Sequence, residues 1–115
     1  MRKCLTLLSV LSVIMPNVVR GDSGQTVQAI LGKTLESPHV KHAHIYADGT
    51  LDGVFNGISY AGTWTLEDGR YCRELTRGLI SERACLDLKP VVNDTGVLIA
   101  VIFKAAGVET RFEVN

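Results

Sequence analysis

The sequence has no run of lysines and arginines, no C-x-x-C pair, no H-E-x-x-H, and no serine in a nucleophile elbow. Each absence removes a class of function. Without a basic stripe there is no electrostatic footprint for nucleic acid, and no polybasic segment for an anionic membrane surface. Without the two catalytic motifs, zinc-protease and α/β-hydrolase chemistry lack their essential groups. No glycine-rich turn opens a long helix after a strand, so a dinucleotide-binding βαβ unit is excluded. Aromatic residues are few, and Trp64 is the single tryptophan. In a small domain its expected role is the largest piece of the core, with ligand stacking as the alternative.

Long apolar runs are also scarce. The longest, Cys4–Met15, follows the basic start Met1-Arg2-Lys3 and falls short of the roughly 20 residues that a spanning helix needs. A basic start, a short apolar stretch and small residues after it (Val19 and Gly21) form the pattern of a secretory signal over residues 1–21. An uncleaved amphipathic anchor is the alternative. A lipid-modified N-terminus does not fit, because Cys4 precedes the apolar run. The exported domain is then residues 22–115, expected in the periplasm or secreted, with no transmembrane segment. Loss of Arg2, Lys3 and Arg20 leaves 9 basic residues against 12 acidic ones, a net charge of −3.

Only three cysteines occur, and removal of Cys4 leaves Cys72 and Cys85. An even number in a small exported domain is expected to pair. Two lone cysteines without a C-x-x-C pair or neighbouring histidines make a poor zinc site, the competing reading.

Glycine is abundant, and its positions organise the chain. A short helix is expected first, with Asp22 as cap and Val27, Ile30 and Leu31 as its apolar stripe, ended by Gly32. From Lys41 onward, the turn signals Ala47-Asp48-Gly49, Asn56-Gly57, Glu67-Asp68-Gly69, Asn93-Asp94-Thr95-Gly96 and Ala105-Ala106-Gly107 separate short strands. In one strand Ile58, Tyr60, Gly62, Trp64 and Leu66 share a face. In another Val108, Thr110, Phe112 and Val114 alternate with Glu109, Arg111 and Glu113. Val97–Phe103 is apolar on both faces, and should be central or lie against the helix. Spacing too short for helical crossovers predicts an antiparallel meander. The expected fold is mainly β: about seven strands curling into a small barrel or half-barrel, with the one N-terminal helix covering an end and no second domain.

The order Gly32-Lys33-Thr34-Leu35, Asp48-Gly49-Thr50-Leu51-Asp52-Gly53, Gly62-Thr63-Trp64, then Asp68-Gly69-Arg70-Tyr71-Cys72-Arg73 and finally Cys85 resembles a family of small exported bacterial proteins. Its pattern is GKTL, DGxxxG, GTW, DGxxCR and a second cysteine, and it spans nearly all of the exported part. Members often carry the label dihydrodipicolinate reductase, which this chain has neither the length nor the nucleotide-binding pattern to support. The resemblance implies export and a shared β fold, and it supplies no site.

Candidate sites come from the residues themselves. His42 and His44 lie two apart on an expected strand, where two imidazoles on one face bind a transition metal weakly; the alternative is a solvated polar face. Arg73 is expected to share a face with Tyr71 and Leu75, near Tyr60 and Trp64. A guanidinium beside aromatics in a barrel mouth would hold a carboxylate or phosphate. The alternative is an ion pair with Asp52, Glu74 or Glu82. Asp48, Thr50 and Asp52 do not complete a calcium loop, since Ser59 stands where a glutamate ligand is needed. No cofactor and no enzymatic activity are expected. Leu51, Phe55, Trp64, Leu86, Ile102 and Phe112 are expected to fill the barrel. A full barrel favours a module acting by contact with an envelope protein; a small-ligand or metal-binding barrel is the alternative.

Overall fold

The computed structural model describes residues 23–115. The expected signal, residues 1–21, and the expected cap Asp22 lie outside them. The order is α1 (Ser23–Ile30), β1 (Leu35–Glu36), β2 (Val40–Ile45), β3 (Thr50–Phe55), β4 (Ile58–Glu67), β5 (Arg70–Arg77), β6 (Leu79–Val92), β7 (Leu98–Ala105) and β8 (Val108–Val114). Each strand pairs antiparallel with the next, and β1 pairs with β8 through Leu35 opposite Val114 and Glu36 opposite Glu113, so the sheet closes into a barrel.

The turn chemistry explains the meander. Asn56-Gly57, Asp68-Gly69 and Ala106-Gly107 all adopt positive φ at both residues, which matches the twist of a tight hairpin. Among the described residues there are eight strands, where about seven were expected. The strand that no turn signal announces is β1, only two residues long, and the turn between β5 and β6 is built on Gly78 alone. β7 is buried at its centre, with Ala100 and Val101 fully covered.

Every hairpin alternates between the two ends of the barrel, and the ends differ. The turns at 46–49, 68–69 and 93–97 share one end with α1, which plugs it. Val27 and Ile30 are fully buried there and pack with Ile45, Leu51, Tyr71, Leu86, Leu88 and Val101. Burying each of those two side chains contributes roughly 1.5–3 kcal/mol. Backbone groups fix the plug: the Leu88 amide donates to Ser23 Oγ at 2.9 Å, the Ser23 amide to the Gly69 carbonyl at 3.3 Å, and the Gly32 amide to the Ile45 carbonyl at 3.0 Å. The turns at 37–39, 56–57, 78 and 106–107 form the opposite end, which no element covers among the described residues.

The short β1 is fastened by side chains of the two strands that follow it. His44 Nε2 lies 3.1 Å from Thr34 Oγ1, and His44 Nδ1 lies 3.4 Å from Asp52 Oδ1. Tyr46 stacks on His44 and donates its hydroxyl to Asp52 Oδ2 at 3.1 Å. Hydroxyl, imidazole and carboxylate stand in the order of a nucleophile relay. The Thr34 amide, however, donates to the Asn115 carbonyl that closes the barrel, and so is not free to stabilise an oxyanion. The cluster is a clasp joining β1, β2 and β3.

Elsewhere the outer face carries exposed ion pairs: Arg70 with Asp87, Arg83 with Glu67, Lys104 with Glu109 and Arg111 with Glu113. Pairs of this kind contribute little to stability. On β5 and β6, Cys72 and Cys85 are direct cross-strand partners joined as a disulfide, with Cys72 buried.

Candidate functional site

The interior is not filled. A cavity of about 390 Å³ runs inward from the uncovered end. This corrects the expectation of a full barrel, and the reason lies in where the large side chains sit. Phe55 is 38 % exposed at the rim. Ile102 alternates with the lining residue Phe103 and so belongs to the other face of β7. Small residues occupy inward positions instead, among them Ala43 and Ala105.

The wall is apolar on most sides. Ile45, Leu51 and Leu86 line the deep part, and Val40, Phe55, Leu79, Ala105 and Val108 the entrance. Aromatic rings brace it by edge contacts: Tyr71 meets Phe103 at 5.8 Å between ring centres, and Phe103 meets Phe112 at 5.0 Å. Edge-to-face geometry at these distances is the favourable arrangement of ring quadrupoles.

One wall is polar. Along β5 the alternation turns Tyr71, Arg73 and Leu75 to the interior, and Tyr60 joins them from β4. Tyr60 has room because Gly53 is opposite it: a Cβ there would run into the Tyr60 phenol. Arg73 Nη1 donates to Ser81 Oγ at 3.4 Å. Among the described residues no carboxylate pairs with Arg73, so the alternative partners Asp52, Glu74 and Glu82 are not used. Nor does any protein acceptor reach the hydroxyls of Tyr60 and Tyr71 among the described residues, although Tyr71 is 2 % exposed. Burial pushes both phenols above their ordinary range, and the Arg73 charge pulls both partly back.

These phenols give the fold an alkaline limit. Their folded-state values lie above the unfolded value near 10, so the folded protein holds protons that the unfolded chain releases. That contribution is complete below about pH 10 and disappears as the pH climbs through the folded-state values. Urea midpoints are therefore expected to be insensitive to tyrosine ionisation from pH 7 to about 9 and to fall above about 10, with a shallower fall in Tyr71→Phe. Equal slopes in the two proteins would show that Tyr71 does not carry the effect.

Of the other sequence candidates, Trp64 and His42 lie outside the cavity lining, and His44 borders it. Trp64 is the cross-strand partner of Arg73, but its indole packs on Tyr71 at 6.1 Å and donates to the Tyr46 carbonyl at 2.8 Å, outside the cavity lining. His42 and His44 are separated by a bulge in β2, where His42 takes a φ of 54°. His42 sits 3.8 Å from Glu36, while His44 belongs to the clasp with Asp52. Among the described residues no group of three or more His, Cys, Asp or Glu side chains comes together that could hold a metal ion. Sequence reasoning missed Gly53, whose role depends on which residue lies across the strand from it, and gave Tyr71 no site role of its own.

No protein-family profile, no curated protein and no solved structure matches this chain.

Proposed function

We propose that the protein is an exported β-barrel that binds one small, largely apolar molecule in its interior. The observation that carries the reading is the cavity of about 390 Å³, which lies in the range of ligand pockets and is mostly apolar with a few convergent polar groups. Eight strands give an interior just wide enough to be either filled by side chains or occupied by one small ligand. Export is supported by the Cys72–Cys85 disulfide, which persists in oxidising compartments, and by the signal pattern and family resemblance of the sequence. Among the described residues no helix is long and apolar enough to cross a membrane. The charged pairs on the outer strands would be costly against lipid.

A second reading, contact with an envelope protein, is favoured by the apolar rim. Ile58, Ile80 and Val108 are 47 %, 76 % and 66 % exposed around the uncovered end.

Titration with a neutral naphthylamine fluorophore separates the two. Binding inside the barrel is expected to be saturable and one-to-one. It should be lost in Ala105→Trp, which narrows the entrance, and kept in Ile80→Ser, which alters the rim alone. Binding lost in Ile80→Ser and unaffected by Ala105→Trp would support the contact surface instead.

A further inference from the structure

Resting on that reading of the cavity, we propose that its ligand is a medium-chain monocarboxylate, with the carboxylate held by Arg73, Tyr60 and Tyr71 and the alkyl chain along the apolar wall. The size sets one bound. At roughly 30 Å³ for each atom of water size, about 390 Å³ takes roughly a dozen non-hydrogen atoms. A fatty acid of about ten carbons fits that space, whereas a two-chain phospholipid is several times too large.

The polar wall sets the charge. Arg73 uses one of its N–H groups on Ser81 and has no carboxylate partner among the described residues. Guanidinium matches a carboxylate through two parallel hydrogen bonds. The two phenols beside it are donors without protein acceptors among the described residues, and Tyr71 is almost wholly buried. Buried donors with no acceptor are costly, and a ligand oxygen between them relieves that cost. A cationic ligand would find Arg73 opposing it. A neutral ligand would leave the guanidinium unmatched; Asp52 also borders the cavity, but its carboxylate is engaged by Tyr46 and His44, so Arg73 and the phenolic donors select an anion. Two phenolic donors and one guanidinium suit the planar two-oxygen head of a carboxylate. Besides Asp52, the remaining lining carries His44 and Thr110; the stretch with Leu51, Leu75, Phe103 and Phe112 is apolar and suits an unbranched tail.

The test compares decanoate, decanol and decyltrimethylammonium as competitors of the naphthylamine fluorophore on the exported domain with its disulfide intact. Decanoate is expected to bind at least about tenfold more tightly than decanol, the order of difference made by hydrogen bonds to a charged group. The ammonium compound should bind least. In Arg73→Gln decanoate is expected to lose its advantage and bind no more tightly than decanol. Equal binding of decanoate and decanol by the unaltered protein overturns the proposal even if Arg73→Gln does not fold. So does failure of all three to displace a fluorophore that itself binds. If the fluorophore does not bind either, the underlying reading of the cavity falls as well.

Discussion

Breaking the Cys72–Cys85 disulfide is expected to lower the melting temperature by at least about 10 °C, because loss of a native bridge from a small exported domain costs about 2–5 kcal/mol and each kcal/mol moves Tm by about 4–8 °C at this size. The bridge closes a segment of 13 positions, for which the chain-entropy estimate is roughly 3 kcal/mol. It also lies on the strand that carries the polar wall, since Cys72 stands between Tyr71 and Arg73. Calorimetry of the oxidised and reduced protein, and of Cys72→Ala with Cys85→Ala, measures the effect. A Tm that does not change would mean that the cross-strand contacts of β5 and β6 suffice without the covalent link.

Gly62→Ala should destabilise the barrel by about 1–3 kcal/mol, the usual cost of forcing extra atoms into packed space. A Cβ at Gly62 would enter the Glu74 carbonyl and lie 2.9 Å from Leu75 Cα, both backbone atoms of the neighbouring strand. The register between β4 and β5 shifts between Ala61 and Gly62, which places Gly62 opposite Leu75 at an irregularity of the pairing. Relief would require parting the strands. Gly53→Ala is the informative contrast, because the three nearest atoms its Cβ would meet all belong to the phenol end of the Tyr60 side chain and none to backbone. Denaturant unfolding of the two variants is expected to separate them, with Gly62→Ala losing stability. Gly53→Ala should keep most of its stability and instead alter ligand affinity by moving Tyr60. Similar stabilities in the two variants would contradict this account of Gly62.

Much of the barrel was legible because its turns carry chemistry with one geometric meaning. Asn56-Gly57 and Asp68-Gly69 need positive φ, and residues that tolerate it mark the hairpins. The alternation around Val108, Thr110 and Phe112 gave the inward face of β8, and all three line the cavity. Shared faces likewise brought Arg73, Tyr71 and Leu75 to the interior together. What escaped the sequence depends on contacts between distant residues. A two-residue strand such as β1 has no periodicity, and its pairing is held by His44 and Asp52 from two other strands. The cavity is a difference between the space inside the barrel and the side chains that enter it. Counting large apolar residues overestimated the filling, because Phe55 stands at the rim and Trp64 lies outside the lining. Arg73 looked equally able to pair with an acid, and only the register of β4, β5 and β6 leaves it facing the interior without one among the described residues.

The most direct measurement is a native mass spectrum of the protein recovered from cells, taken for the unaltered chain and for Ala105→Trp. A ligand-binding barrel predicts an oxidised chain carrying one small molecule, absent from the Ala105→Trp variant. A bare chain that also takes up no naphthylamine fluorophore in solution would contradict the assignment of the interior as a ligand site.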